Sequence, residues 1–279
     1  MRNTKSKNDK FNDIEYRKVT KLNSNTYSGC ALAKLNITLS IGKKDMTGFH
    51  KVSSVMQAVS LHDRITLRKA TAGHGGIDGY IVKDNIISTT LEELSEDVGK
   101  RLHCRINLQK TIPVAAGLAG GSSDAAAVLR IANRAFGLDM GLHDLEKVAQ
   151  RVGNDVSFLL YGGRAMVVGA NEHKITPMEV PDLYYIIARP RMELSTKKMY
   201  ELYDKTGRSF TELVCDMCPD TKKLLSQVRK AHPVESGVTG KGPTVFAAYK
   251  TYKECENVSK SMSWLWGDIF IERSVRAFI

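Results

Sequence analysis

Long hydrophobic runs are missing from this chain. No stretch of its 279 residues approaches the roughly 18 apolar positions a spanning helix needs, so no membrane partner is expected. A secretory leader is also missing. The first 21 residues hold seven Lys/Arg against Asp9, Asp13 and Glu15 and contain no apolar core, and the acidic residues argue against a transit peptide. Residues 1–24 read as a basic, solvated, disordered extension, and the cytoplasm is the expected location. Cysteine is sparse and odd in number: Cys30, Cys104, Cys215, Cys218 and Cys255, which points to reduced thiols. Cys215 and Cys218 have metal-ligand spacing, but no second pair completes four ligands, so neither zinc nor redox chemistry is expected of them.

Acidic residues are outnumbered, giving a net charge of +11. The first 21 residues supply four of those charges, seven against three, and the rest suit acidic small molecules such as nucleotides and phosphate esters. No basic stretch is interleaved with aromatics, so no nucleic-acid partner is expected. No internal repeat is visible, and the length suits two domains.

Two familiar phosphate loops are absent as well. There is no G-x-x-x-x-G-K-[ST], since Gly237-Val238-Thr239-Gly240-Lys241-Gly242 runs on into Pro243, and there is no G-x-G-x-x-G. What is present is Thr111-Ile112-Pro113-Val114-Ala115-Ala116-Gly117-Leu118-Ala119-Gly120-Gly121-Ser122-Ser123-Asp124. A strand is expected before it, where Leu102, Cys104, Ile106 and Leu108 alternate with polar neighbours. A helix is expected after it, with Ala125, Val128, Leu129, Ala132 and Phe136 on one face. Glycines let a backbone approach a ligand closely, and a helix start adds unpaired N–H groups and a positive dipole end. Together they read as an anion site, phosphate being the usual anion, with a serine-capped glycine turn as the plainer alternative.

The segment Pro113 to Ala126 resembles the ATP loop of the 4-diphosphocytidyl-2-C-methylerythritol kinases. That family belongs with galactokinase, homoserine kinase, mevalonate kinase and phosphomevalonate kinase in the GHMP superfamily. The resemblance assigns ATP binding to Pro113, Ala115, Ala116, Gly117, Leu118, Ala119, Gly120, Gly121, Ser122, Ser123 and Asp124. A serine, Ser122 or Ser123, would act on magnesium through Mg-ATP.

Other segments match in order. Ala33-Lys34-Leu35-Asn36 is similar to a family segment, with Leu32 where proline is usual, and implies Lys34 beside a catalytic aspartate and Asn36 in the acceptor pocket. Read alone, Lys34 is a lysine in an apolar strand that needs a charge partner, or an edge gatekeeper. Lys34 and Asn36, two apart, face the same way on a strand. Asp45 to His50 resembles the segment that holds cytosine, with Phe49 replacing tyrosine and His50 retained. A ring face can stack a base and an imidazole can bond its edge. An apolar pattern then covers Val52, Val55, Met56 and Val59, and Ser60 to Leu67 reads as a turn into another strand. A glycine-rich loop at Gly73, Gly75 and Gly76 and a helix from Asn85 to Val98 follow.

Leu142, Leu145, Val148, Ala149 and Val152 form a second amphipathic helix stopped by Gly153. Gly153-Asn154-Asp155-Val156-Ser157-Phe158 resembles the family's aspartate motif, with Ser157 replacing proline, and implies Asp155 as the catalytic base. A strand at Arg164 to Val168 and a turn at Gly169 to Glu172 close the first domain; a buried strand at Leu183 to Ala188 opens the second, followed by a helix capped by Ser195 or Thr196. Tyr200 matches an aromatic placed against cytosine, and Thr239 and Gly240 belong to the third glycine motif, which implies acceptor binding for all three. Two departures concern the acceptor: Lys241 stands where a small hydroxyl residue is usual, and the segment from Ser209 to Pro233 is short and has no Asn-Asp-x-Glu motif.

The expected fold is α+β, with a first domain over 25–178 of ribosomal-protein-S5-like topology and a ferredoxin-like second domain over 179–279. By resemblance the chain is an ATP- and magnesium-dependent kinase of a small-molecule alcohol, 4-diphosphocytidyl-2-C-methylerythritol, in isoprenoid precursor synthesis. The alternatives are another alcohol such as mevalonate or a mevalonate phosphate, or a non-catalytic sensor on the same fold. A monomer and a homodimer are both compatible with the sequence.

Overall fold

The computed structural model describes residues 16, 18–46, 48–71, 76–79, 85–170 and 173–278. Residues 1–15 of the basic extension, Thr47, Gly73 and Gly75 of the glycine-rich loop, and the turn residues Asn171 and Glu172 lie outside the described residues. No helix among the described residues is long and apolar enough to cross a membrane.

The first sheet contains β1 (Thr20–Lys21), β2 (Thr26–Asn36), β3 (Ser40–Lys44), β4 (His50–Lys69), β5 (Gly76–Gly79), β6 (Cys104–Gln109), β7 (Arg164–Gly169) and β8 (His173–Met178). Its order runs β1-β2-β4-β6-β5, with β3 and β7 also on β4 and β8 on β7. In β6 the expected alternation holds, Cys104, Ile106 and Leu108 pointing inward. The expected turn at Ser60 does not form. Instead β4 runs 20 residues without a break and pairs in turn with β3, β7, β2 and β6. Its middle is buried on both faces, so hydrophobic residues follow one another rather than alternating, and the periodicity misleads.

Among the described residues four helices cover one face: α1 (Ile86–Asp97), α2 (Gly120–Phe136), α3 (Leu142–Val152) and α4 (Asn154–Tyr161). α2 packs directly on β2, α1 and α4, and its alanines at 125, 126, 127 and 132 let it come close. It stops at Gly137, which takes the left-handed conformation a helix end favours.

The second sheet is antiparallel, built from β9 (Tyr184–Pro190), β10 (Glu235–Val238), β11 (Val245–Tyr249) and β12 (Gly267–Arg273) in the order β10-β11-β9-β12. Helices α5 (Thr196–Thr206), α6 (Phe210–Met217) and α7 (Pro219–Lys230) follow β9, and α8 (Tyr252–Lys260) follows β11. That β-α-β-β-α-β succession is ferredoxin-like, as expected. Cys215 and Cys218 end α6, and none of the five cysteines is in a disulfide.

The two sheets face each other. Ile186, Ala188, Val245 and Ala247 point to α5–α8, while Tyr185, Ile187, Phe246 and Ala248 point to the first sheet. There they meet Ala33 and Leu35 of β2, Val59 and Leu61 of β4, and Ile112, Ala116 and Leu118 of the glycine-rich segment. The result is helices, sheet, sheet, helices, with that segment wedged into the seam. After β12, Val275 N–H donates to Ala58 and Phe278 N–H to Tyr161, so the chain returns to the first sheet. Arg164 of β7 and Glu235 of β10 form a paired ion bridge across the seam, with Tyr185 donating to the same carboxylate.

Phe246 is fully buried in this seam. Phe246→Ala is expected to cost about 3–5 kcal/mol in denaturant unfolding; a loss below about 1 kcal/mol would mean the seam is not a packed core.

Candidate active site

The glycine-rich segment is held open by its own backbone. Ala115, Gly117 and Ala119 have φ of 56°, 77° and 55°, alternating with ordinary residues, which turns successive amides toward one side. Two of these are alanines in a conformation that costs about 1–2 kcal/mol each, strain of the kind found where a backbone must be pre-set for a ligand. Gly117 is required by contact as well as angle: a Cβ there would lie 2.6 Å from the Thr239 carbonyl oxygen. Gly120 then starts α2, whose free N–H groups face the same space.

A charge cluster ties the loop's ends together. Asp63, fully buried on β4, accepts hydrogen bonds from the amides of Thr111 and Ile112 and from Lys110 Nζ. The same Nζ donates to Asp124 Oδ2 at 2.8 Å. Lys110 precedes the loop and Asp124 follows it, so one ammonium closes the circuit. Burial opposes the Lys110 charge, but Asp124 and Asp63 outweigh it and raise its pKa. Burial pushes Asp124 up to about 7, against the pull of Lys110 and with help from the second carboxylate. Asp63 and Lys110 were not among the expected site residues. The sequence signal for them was a carboxylate inside the apolar run of β4 and a lysine directly after β6.

On β2 the register on β4 shifts between Leu32 and Lys34. Ala33 and Leu35 enter the seam between the sheets, while Lys34 and Asn36 face a cavity of about 1130 Å³. Lys34 Nζ donates to Asn36 Oδ1 at 2.6 Å and lies 3.4 Å from Asp155 Oδ2. Asp155 stands in the first turn of α4, a short helix whose following residues Val156 to Leu160 are all buried. The apolar run thus anchors the helix, and its start presents Asp155 to the cavity. Asn36 Nδ2 donates to Ser54 Oγ at 2.7 Å, which fixes the amide's orientation.

A third wall is aromatic. His50 stacks on Tyr200 at 5.4 Å and meets Tyr203 edge-on at 5.3 Å. Its Nδ1 lies 2.8 Å from the Gly42 carbonyl, which only accepts, so Nδ1 carries the proton. Its Nε2 lies 2.9 Å from Asp204 Oδ1. Phe49 is exposed at the rim. Burial and the nearby Asp155 charge raise the Tyr200 phenol, which sets the aromatic wall in the field of the carboxylate. His173, also in the cavity wall, has its pKa lowered by burial.

Lys34, Asn36, Phe49, His50, Asp155, Tyr200 and Gly240 all border the cavity, as do Pro113, Ala115, Ala116, Gly117, Leu118, Ala119, Gly120, Gly121, Ser122 and Asp124. Two expected residues do not. Ser123 is buried and spends its hydroxyl on the Leu32 carbonyl, so of the two serines only Ser122 faces the cavity. Thr239 is buried too: its hydroxyl accepts from the Asn36 amide at 2.9 Å and lies 3.4 Å from the Gly117 carbonyl. It clamps the glycine loop to β2 and has no surface for an acceptor. Among the described residues no three His, Cys, Asp or Glu side chains converge as a metal site. Tyr203, Asp204 and Lys44, missed in the sequence, complete the wall behind His50; Lys44 bonds Asp204 at 2.6 Å.

A family profile described as "GHMP kinases N terminal domain" matches residues 85–163, which hold the loop, α2 and Asp155. The chain is 36% identical over 262 residues to a 4-diphosphocytidyl-2-C-methyl-D-erythritol kinase of Caldicellulosiruptor bescii, covering 78% of this chain and 88% of the relative. It is 29% identical over 275 residues to the kinase of that name from Listeria welshimeri, covering 87% and 94%. A crystal structure of a 4-(cytidine 5'-diphospho)-2C-methyl-D-erythritol kinase superposes with a TM-score of 0.76 at 22% identity, over 89% of this chain and 99% of that one.

The Asp124 carboxyl carries a pH prediction. Its folded pKa, about 7, lies above the ordinary carboxylate value near 3.8. Between those values the folded state holds the extra proton, so this group's contribution to stability falls as pH rises, by up to about 1.4 kcal/mol per pH unit. Asp124→Asn is expected to flatten that slope between about pH 5 and pH 7 in denaturant titrations. An unchanged slope would remove Asp124 from the account.

Proposed function

The chain belongs to the 4-diphosphocytidyl-2-C-methyl-D-erythritol kinase family, and on that premise we propose that it transfers the γ-phosphoryl group of ATP to a hydroxyl of 4-diphosphocytidyl-2-C-methyl-D-erythritol, a cytoplasmic step toward isoprenoid precursors. The observation that carries the reading is the meeting of Lys34 and Asp155, 3.4 Å apart, in one cavity with the glycine loop and the aromatic wall. Residues 25–178 supply the ATP-binding domain and residues 179–279 the second domain.

Magnesium would accompany ATP and supply charge neutralisation at its phosphates. The loop amides from Ala115 to Ser122 cradle its phosphates, and the Ser122 hydroxyl is the serine oxygen available to the ion. The acceptor hydroxyl attacks the γ-phosphorus, the bond to the β,γ-bridging oxygen breaks, and ADP leaves. Asp155 takes the hydroxyl proton. Lys34, buried and bonded to Asn36, keeps Asp155 in place and offsets charge as the oxygen gains it. Phosphoryl transfer asks for placement and charge neutralisation more than for a strong base, which suits a carboxylate beside an ammonium.

His50, Tyr200 and Phe49 favour a base-bearing acceptor over mevalonate, because flat rings on the cavity wall offer a nucleobase faces on which to stack. Asp155→Asn and Lys34→Met are each expected to lower turnover of the cytidine compound by about 10²–10⁴ while ATP affinity changes by no more than about threefold. Turnover within about tenfold of the unmodified protein would take the proton-transfer role from Asp155.

A further inference from the structure

Among the described residues, five lysines border the cavity: Lys34, Lys44, Lys110, Lys197 and Lys241. Three are neutralised, Lys34 by Asp155, Lys44 by Asp204 and Lys110 by Asp63 and Asp124. Among the described residues, Lys197 and Lys241 have no carboxylate within ion-pair distance. Lys197 is exposed, and its charge is solvated. Lys241 is half-buried, and burial lowers its pKa against the weaker pull of the Glu193 carboxylate, so its ammonium stands in the wall without an ion-pair partner.

Its position is fixed from two sides. Gly240, just before it, has φ of 57° and would put a Cβ 3.3 Å from both Asn36 Oδ1 and the Gly117 carbonyl, so the segment is pressed against β2 and the glycine loop. On the other side Lys241 Nζ donates to Thr196 Oγ1 at 2.6 Å. Thr196 and Tyr200 are four residues apart on α5, hence on one face and about 6 Å apart along the axis. Lys241 therefore stands one helical turn from the aromatic wall, between it and the glycine loop.

We propose that Lys241 is a specificity-determining residue that binds the diphosphate of the acceptor, together with the Thr196 hydroxyl. The inference rests on the acceptor reading above. A nucleoside diphosphate whose base stacks at Tyr200 carries its phosphates a ribose away, toward Thr196. An ammonium held there by Thr196, with no carboxylate in ion-pair contact, is free to form a charge-assisted bond to the diphosphate. The site then reads a diphosphate as well as a base, and a cytidine without phosphates loses that contact.

The test uses the full chain, its ATP site filled with a non-hydrolysable ATP analogue, and calorimetric binding of CDP and of cytidine. The unmodified protein is expected to prefer CDP by at least about tenfold. Lys241→Ser is expected to shrink that preference about tenfold with cytidine affinity unchanged, and Lys241→Arg to retain most of it. In steady-state kinetics Lys241→Ser is expected to raise KM for the acceptor while leaving kcat and KM for ATP near their original values. A CDP preference that survives in Lys241→Ser overturns this inference and leaves the acceptor reading standing. A change confined to KM for ATP also overturns it, by placing Lys241 on the donor. An unmodified protein that binds neither CDP nor cytidine overturns both readings.

Discussion

Everything at the site depends on a short stretch of backbone keeping an unfavourable shape. Residues 111–123 run past the cavity with two alanines and a glycine at positive φ, Ala115, Gly117 and Ala119, which turns the amides around them toward one side. Left alone, such a loop would collapse onto its own carbonyls. Three constraints prevent that. Asp63 holds the entry through two backbone amides, Lys110 joins Asp63 to Asp124 across the loop, and Ile112, Ala116 and Leu118 are sunk in the seam between the sheets. The third glycine segment presses on the loop from outside, with Thr239 at the contact. The strain is stored because packing and charge over-determine the conformation.

From that fixed loop the other groups follow. β2 donates the Lys34 amide to the Leu118 carbonyl, so the strand that carries Lys34 and Asn36 is registered against the loop directly. α2, which starts at the loop, packs on α4, which carries Asp155 in its first turn. The distance between Lys34 and Asp155 is therefore set by two elements that both touch the loop. The second sheet contributes the opposite wall, and the seam core and the Arg164–Glu235 bridge hold it in place.

Much of this was legible in the sequence. The strand, loop and helix around Gly117 announce themselves by composition, and the two-residue spacing of Lys34 and Asn36 puts both on one face. Asp155 was legible through resemblance; its local pattern alone fits a helix cap equally well. Other features were hidden for physical reasons. β4 is buried on both faces through its middle, so its hydrophobic pattern carries no strand period and a false turn appears at Ser60. Ser123 and Thr239 are small hydroxyl residues in glycine-rich motifs, and whether such a hydroxyl meets a ligand or a backbone carbonyl is decided by packing 91 and 203 positions away. The Asp63–Lys110–Asp124 cluster joins residues 47 and 14 apart, a pairing no local rule encodes.

The central claim is that one cavity joins Mg-ATP on the glycine loop to a cytidine-bearing alcohol beside Lys34 and Asp155. Its most direct test is ADP release from the purified protein with Mg-ATP against a panel of acceptors: 4-diphosphocytidyl-2-C-methyl-D-erythritol, mevalonate, phosphomevalonate, homoserine and shikimate. The account predicts acceptor-dependent ADP release with the cytidine compound alone. Release with mevalonate, its phosphate or another member of the panel, and none with the cytidine compound, would contradict it.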